Sequence, residues 1–254
     1  MRAVQSIIAL LLITSSTAAL IGRPSVLIYP SGPTVPENLL RIELRFSSPL
    51  RPPLTLDQVK LLNPNGAEIK DAFLDLPLPG ANEKSVTLLL HPGRVKSGVG
   101  ANLVLGRALR SGMTVTLMFN HPALAKPVRK NWQVTAYDAE SPQPAHWTIV
   151  RPRSGSRSPL VLHLDNPISS ASENLIAIRN SDGSRLAGNV HLEEGETVWR
   201  FVPAQPWQTG NYAVVTHPDL EDCAGNRPCA PFEAIDASQI RDEAETALPF
   251  ELTE

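Results

Sequence analysis

The chain reads as all-β: two antiparallel β-sandwiches in tandem behind a secretory signal peptide. Three observations carry that reading. Apolar and polar residues alternate in short runs, 24 Pro and 15 Gly punctuate the 254 residues, and four strand-and-turn patterns recur in the same order in both halves. Alternation with a period of two marks half-buried strands, and dense Pro and Gly keep those strands short.

The amino terminus comes first. Arg2 supplies a positive start, Ile7 to Ile13 is an unbroken apolar run, and "TSSTAAL" adds the small residues that precede cleavage, placed here after Ala18 or Ala19. This is the layout of a signal peptide over residues 1–19, and the run falls short of the roughly 20 apolar residues that a membrane span requires. No cysteine follows it to take a lipid. The expectation is an exported protein, periplasmic or extracellular, with no transmembrane segment in the mature chain.

The repeat comes next. "RIELRFSSPL" (41–50) matches "PLVLHLDNPI" (159–168), each an alternating strand that stops at proline. "VKLLNPNGAEI" (59–69) matches "IAIRNSDGSRL" (176–186), where Gly66 and Gly183 close Asn/Asp-Gly hairpin turns that need positive φ. "SVTLLLHPGRV" (85–95) matches "TVWRFVPAQPW" (197–207), and "LRSGMTVTLMFN" (109–120) matches "WQTGNYAVVTHP" (207–218). In "PLVLHLD", Leu160, Leu162 and Leu164 share one face; in "TVWRFV", Trp199 and Phe201 point together and Arg200 away. Pro142 and Pro144 mark an extended linker between the halves.

This order of strands, with its "NPNG/NSDG" hairpins and the closing "LEDCAGN", resembles bacterial Ig-like domains of the SbsA type, most fully over residues 144–235. The resemblance implies two tandem antiparallel Ig-like β-sandwich domains: 24–138, diverged and carrying the insertion "HPGRVKSGVGANLVLGRAL", and 144–235. It implies a spacer, stalk or binding module of an exported protein and brings no catalytic residues. Residues 236–254 have too few apolar side chains to add to a core and read as a mobile acidic tail.

Chemistry concentrates in one stretch, "THPDLEDCAGNRPCAPF". Asp219, Glu221, Asp222 and Asn226 offer oxygen ligands of the kind calcium takes, but their spacing is not that of a calcium loop, and Asp and Asn favour tight turns for backbone reasons alone. The turn is the stronger reading, and no cofactor is assigned. Cys223 and Cys229 lack C-x-x-C spacing; in an exported chain they predict a disulfide, which would contribute roughly 2 kcal/mol by closing a short loop.

Other signals are weaker. His91, His121 and His217 each precede proline and fall at strand ends. His163 and His191 lie on polar strand faces and make a poor metal pair. "GVGANL" lacks the third glycine of a dinucleotide loop and reads as a plain loop. Glu193 and Glu194 mark a solvated turn. Trp132, Trp147, Trp199 and Trp207 suit core packing better than a sugar platform. Nucleophile-elbow, zinc-protease and phosphate-loop motifs are missing from the sequence.

Charge is uneven. Residues 24–138 hold 13 Lys and Arg against 8 Asp and Glu; residues 139–235 hold 7 against 11, and residues 236–254 hold 1 against 6. Opposite fields of this kind predict complementarity within the chain or with a partner, and without interleaved aromatics they do not predict nucleic acid. The expected function is a non-enzymatic binding or structural module engaging another protein. The alternatives are a hydrolase-type enzyme with its site between the domains, or a glycan- or calcium-dependent adhesin. A pocket of convergent polar groups at the domain junction favours the enzyme; a strand edge favours partner binding.

Overall fold

A computed structural model describes residues 23–96, 100–233 and 246–254; the signal peptide read at residues 1–19 lies outside the described residues. The first half forms β1 (Val26–Tyr29), β2 (Thr34–Pro36), β3 (Arg41–Phe46), β4 (Val59–Leu62), β5 (Leu78–Pro79) and β6 (Ser85–Leu89). Two short helices follow, α1 (Pro92–Val95) and α2 (Gly100–Leu105), then β7 (Thr114–Phe119) and β8 (Val128–Thr135). They make two sheets, β1-β3-β6-β5 and β2-β8-β7-β4. Every pairing is antiparallel except β2 with β8, which is parallel, because the chain crosses from one sheet to the other after β1.

The second half forms β9 (Thr148–Val150), β10 (Leu160–His163), β11 (Ile176–Asn180), β12 (Gly188–Glu193), β13 (Val198–Pro203), β14 (Gly210–Thr216) and β15 (Thr246–Leu252). Its sheets run β9-β10-β13-β12 and β11-β14-β15. The orders superimpose on those of the first half: β1, β3, β6 and β5 correspond to β9, β10, β13 and β12, and β4, β7 and β8 to β11, β14 and β15. All four sequence correspondences therefore fall on topologically equivalent strands. This is a tandem of two Ig-like β-sandwiches.

Each sandwich has its own core. Ile42, Leu44, Leu88, Leu117, Phe119 and Trp132 fill the first. Leu160, Leu162, Trp199, Phe201, Trp207, Tyr212 and Phe250 fill the second. In the second the rings form a chain, with centroid separations of 5.9 Å for Phe201–Trp207 and 5.4 Å for both Trp207–Tyr212 and Tyr212–Phe250. All four tryptophans are buried, so none can serve as a sugar-stacking platform.

Three expectations are corrected. Residues 246–252 are not part of a mobile tail. They pair along their whole length with β14, from Gly210↔Leu252 to Thr216↔Thr246, and Phe250 and Leu252 are buried. The few apolar residues of this stretch sit at alternate positions, which is enough to cover one face of an edge strand. Pro249 is tolerated because its missing N–H can face the open edge. "LEDCAGN" consequently does not close the second sandwich; it belongs to a long excursion between β14 and β15, where the first sandwich has only a short β7–β8 connection. Finally, the last four residues of "GVGANL" (98–103), read as a loop, belong to α2, where Gly106 and Arg94 meet the carbonyls of Asn102 and Leu105.

The three His-Pro pairs share one device. Nδ1 of His91, His121 and His217 accepts the backbone N–H of Gly93, Ala123 and Asp219, at 3.0, 3.1 and 3.1 Å. Each imidazole thus holds the turn that follows its strand.

Candidate functional site

The charged face of β3 is the starting point. Ile42, Leu44 and Phe46 enter the first core, so Arg41, Glu43 and Arg45 must face the other way. Instead of meeting solvent, they meet the second domain. Arg45 donates from NH1 to both Glu173 oxygens at 2.9 Å, from NH2 to the Ser170 carbonyl at 2.7 Å, and from Nε to Glu43 at 2.9 Å. Its guanidinium also lies over the Tyr29 ring, 4.8 Å from the centroid. Two carboxylates hold its pKa above the usual arginine value despite burial. Ser170 donates its hydroxyl to Glu43, and Arg41 pairs with Glu221.

A second contact lies in the β12–β13 turn. Glu194, Gly195 and Glu196 all have left-handed φ (51°, 67° and 66°), a conformation that costs a non-glycine residue roughly 1–2 kcal/mol. This bend brings Gly195 onto Gly32 of the first domain, so tightly that a Cβ on Gly195 would lie 3.1 Å from the Gly32 Cα. It also buries Glu196, whose carboxylate accepts the Ser31 N–H with both oxygens at 3.0 Å. Burial raises the Glu196 pKa against that hydrogen bond and the nearby Lys130 and Arg45. Glu196 was not among the sequence candidates; "LEEGET" looks solvated because only one of its three glutamates turns inward.

The "LEDCAGN" turn makes the third contact. Asp222 Oδ1 accepts the N–H groups of Ala224 and Asn226 at 2.8 and 2.9 Å, and Oδ2 accepts from Asn226 Nδ2 at 2.8 Å. Asn226 Nδ2 also reaches the Asp138 carbonyl of the linker at 3.2 Å, where Asn38 Nδ2 of the first domain donates at 2.8 Å. The Cys223 carbonyl accepts the Leu40 N–H at 3.1 Å. Gly225, at φ 85°, lies under Leu40; a Cβ there would fall 2.2 Å from Leu40 Cδ1. The turn is a brace between the domains.

This geometry decides the sequence candidates. Asp219 and Glu221 pair with Arg227, Glu221 also with Arg41, and His217 accepts the Asp219 N–H. Asp222 and Asn226 bond each other and the backbone. Their oxygens are thus dispersed over separate partners, and among the described residues no three His, Cys, Asp or Glu side chains come together as a metal site. The predicted Cys223–Cys229 disulfide is not formed; both cysteines are free. The reason is direction: Cys223 packs toward the first core and the domain junction, whereas Cys229 faces a separate hollow beside His217 and Thr246. His163 and His191 stay apart, with β13 between their strands.

The three contacts frame a cleft of about 490 Å³. One wall is the Pro30–Pro36 segment with edge strand β2; the others are Thr135–Glu140, from the end of β8 into the linker, Asn166–Pro167, and the Glu194–Thr197 turn over Cys223. Asp138, Glu140, Glu194 and Glu196 line it, and no Lys, Arg or His among the described residues does. Burial first, and then the carboxylates of Glu196, Asp222 and Asp138, push the Cys223 thiol up, which disfavours the thiolate that nucleophilic attack needs. Asp138 is spoken for by the Glu140 N–H, and its pKa is raised by burial.

No protein-family model matches the chain, and no curated protein matches its sequence. Among solved structures it is similar to a chimeric titin Z1Z2 functionalized with a decorin peptide, at 11% identity over 90% of this chain and 95% of that one, TM-score 0.28. It is also similar to titin Z1Z2 in complex with telethonin (13%, 90% and 94%, TM-score 0.24) and to the titin Ig tandem A164-A165 (12%, 90% and 95%, TM-score 0.26). At such scores nothing is carried over from them; the Ig-like reading rests on the strand order above.

Proposed function

We propose that this chain is an exported, non-enzymatic binding module in which two Ig-like domains are fixed as one elbow that presents the acidic cleft to a protein partner. The observation that carries the reading is the use made of the junction's polar groups. Glu196 is bound to Ser31, Asp222 to its own turn, and Arg45 to Glu43, Glu173 and Ser170. Groups held this way fix geometry, whereas a hydrolase needs a nucleophile or base free to reach a substrate. Export is supported by Arg2, the Ile7–Ile13 run and the small residues after it. A scaffold of the bacterial SbsA type is supported by the hairpin and strand pattern.

The cleft's single-signed lining favours a partner segment carrying Lys or Arg, extended alongside edge strand β2. Placing a photo-crosslinking residue at Thr34 or Glu194 in the native host tests this. A crosslinked protein that is lost at high salt is the expected result. Hydrolysis of ester, peptide or glycoside substrates by the purified chain, abolished by Glu196→Gln, would establish the enzyme reading instead.

A further inference from the structure

The insertion of the first domain ends in an exposed apolar tip. Val95, Ala108 and Leu109 anchor its base in the core. Above that base α2 is held at its last turn: Arg94 NH1 donates to the Leu105 carbonyl at 3.3 Å, and Gly106, at φ 69°, donates its N–H to Asn102 O at 2.8 Å. Beyond this support Leu103, Val104 and Leu105 are 78%, 83% and 42% exposed. Exposed large hydrophobics elsewhere in the described residues are scattered; these three are consecutive.

Two features indicate what covers them. Three successive helical residues radiate around the axis, whereas a helix that docks in a protein groove keeps its apolar residues at i, i+3 and i+4. A fluid medium covers such a tip on all its sides, whereas a groove covers one face. The charge is also of one sign: residues 91–110 carry Arg94, Lys96, Arg107 and Arg110 and no Asp or Glu. Arg94 is buried and feels the charge of Asp71, and Arg107 pairs with Glu37 at 3.2 Å. Arg110 is exposed, and Lys96 lies half-buried over the Phe232 ring at 4.7 Å.

We propose that this tip docks on an anionic lipid surface, with Leu103, Val104 and Leu105 entering the acyl boundary and Arg110 and Lys96 meeting headgroup phosphates. The energy has two sources, apolar insertion and attraction of cations by the surface. The inference is independent of the cleft and holds whether or not the cleft binds a protein.

Flotation of the purified chain with vesicles tests it. Binding is expected to equimolar phosphatidylcholine and phosphatidylglycerol, and not to phosphatidylcholine alone, at physiological salt. Leu103→Asp/Val104→Asp should weaken it roughly tenfold or more, and Arg110→Gln about fivefold. Both sites are exposed, so an unchanged melting curve will certify the fold. No flotation with the anionic vesicles, or binding untouched by Leu103→Asp/Val104→Asp, overturns the proposal. So does lipid-free self-association in sedimentation velocity that Leu103→Asp/Val104→Asp abolishes, since the tip's occupant is then a second copy of the chain.

Discussion

Asp222 is 1% exposed, and its carboxylate is met by the N–H groups of Ala224 and Asn226 and by the Asn226 side-chain amide. Burial raises its pKa to about 7, assisted by Asp138 and opposed by the three hydrogen bonds it accepts. A carboxyl that binds its proton more tightly when folded stabilises the fold fully below its unfolded pKa, and that contribution disappears as pH rises through the folded value. Glu196 and Asp138 are shifted in the same direction. Stability should therefore fall between about pH 4 and pH 7, by up to about 4 kcal/mol from Asp222, and Asp222→Asn should flatten the slope. Denaturant unfolding across that range checks both. Gly225→Ala should cost about 1–3 kcal/mol, since it strains a left-handed residue and pushes on Leu40. Thiol titration should find neither cysteine reactive in the native chain and both reactive after unreduced denaturation; a disulfide would leave none in either state.

Among the elements, those whose two faces meet different surroundings were legible and those defined by a distant partner were not. The alternation in "RIELRF" and "PLVLHLD" announces β3 and β10 and their buried faces. It cannot say that the charged face of β3 meets Glu173 and Ser170, more than a hundred residues away. β15 escaped for a related reason: "TALPFEL" follows an acidic stretch, and its strand character depends on β14 lying beside it. Glu196 escaped because burial of one glutamate in three depends on where Gly195 meets Gly32. Cys223 and Cys229 are close in sequence, but the turn between them sends their side chains to different hollows. If β15 belongs to the second core, Phe250→Ala should lower stability by roughly 3–5 kcal/mol. Removing residues 246–254 should abolish the cooperative unfolding of that domain in calorimetry, and an unchanged transition would return the segment to the status of a tail.

At the scale of the whole molecule, part of the charge division between the halves is resolved internally. Arg41 and Arg45 of the basic half meet Glu221 and Glu173 of the acidic half, in settings sheltered enough that salt screens them less than an exposed pair. With the Gly32–Gly195 contact and the Asp222–Asn226 brace, these pairs tie the sandwiches at three places around one cleft. Tandem domains joined only by a linker move by default; this junction predicts a fixed elbow. Electron–electron distance measurement between spin labels at Asn65 and Asp182, with Cys223 and Cys229 replaced by serine, reads that claim directly. A single narrow distance distribution in the parent chain that broadens in Glu196→Ala/Arg45→Ala is the predicted result. A broad distribution in the parent chain, or a narrow one that these substitutions leave unchanged, would contradict it.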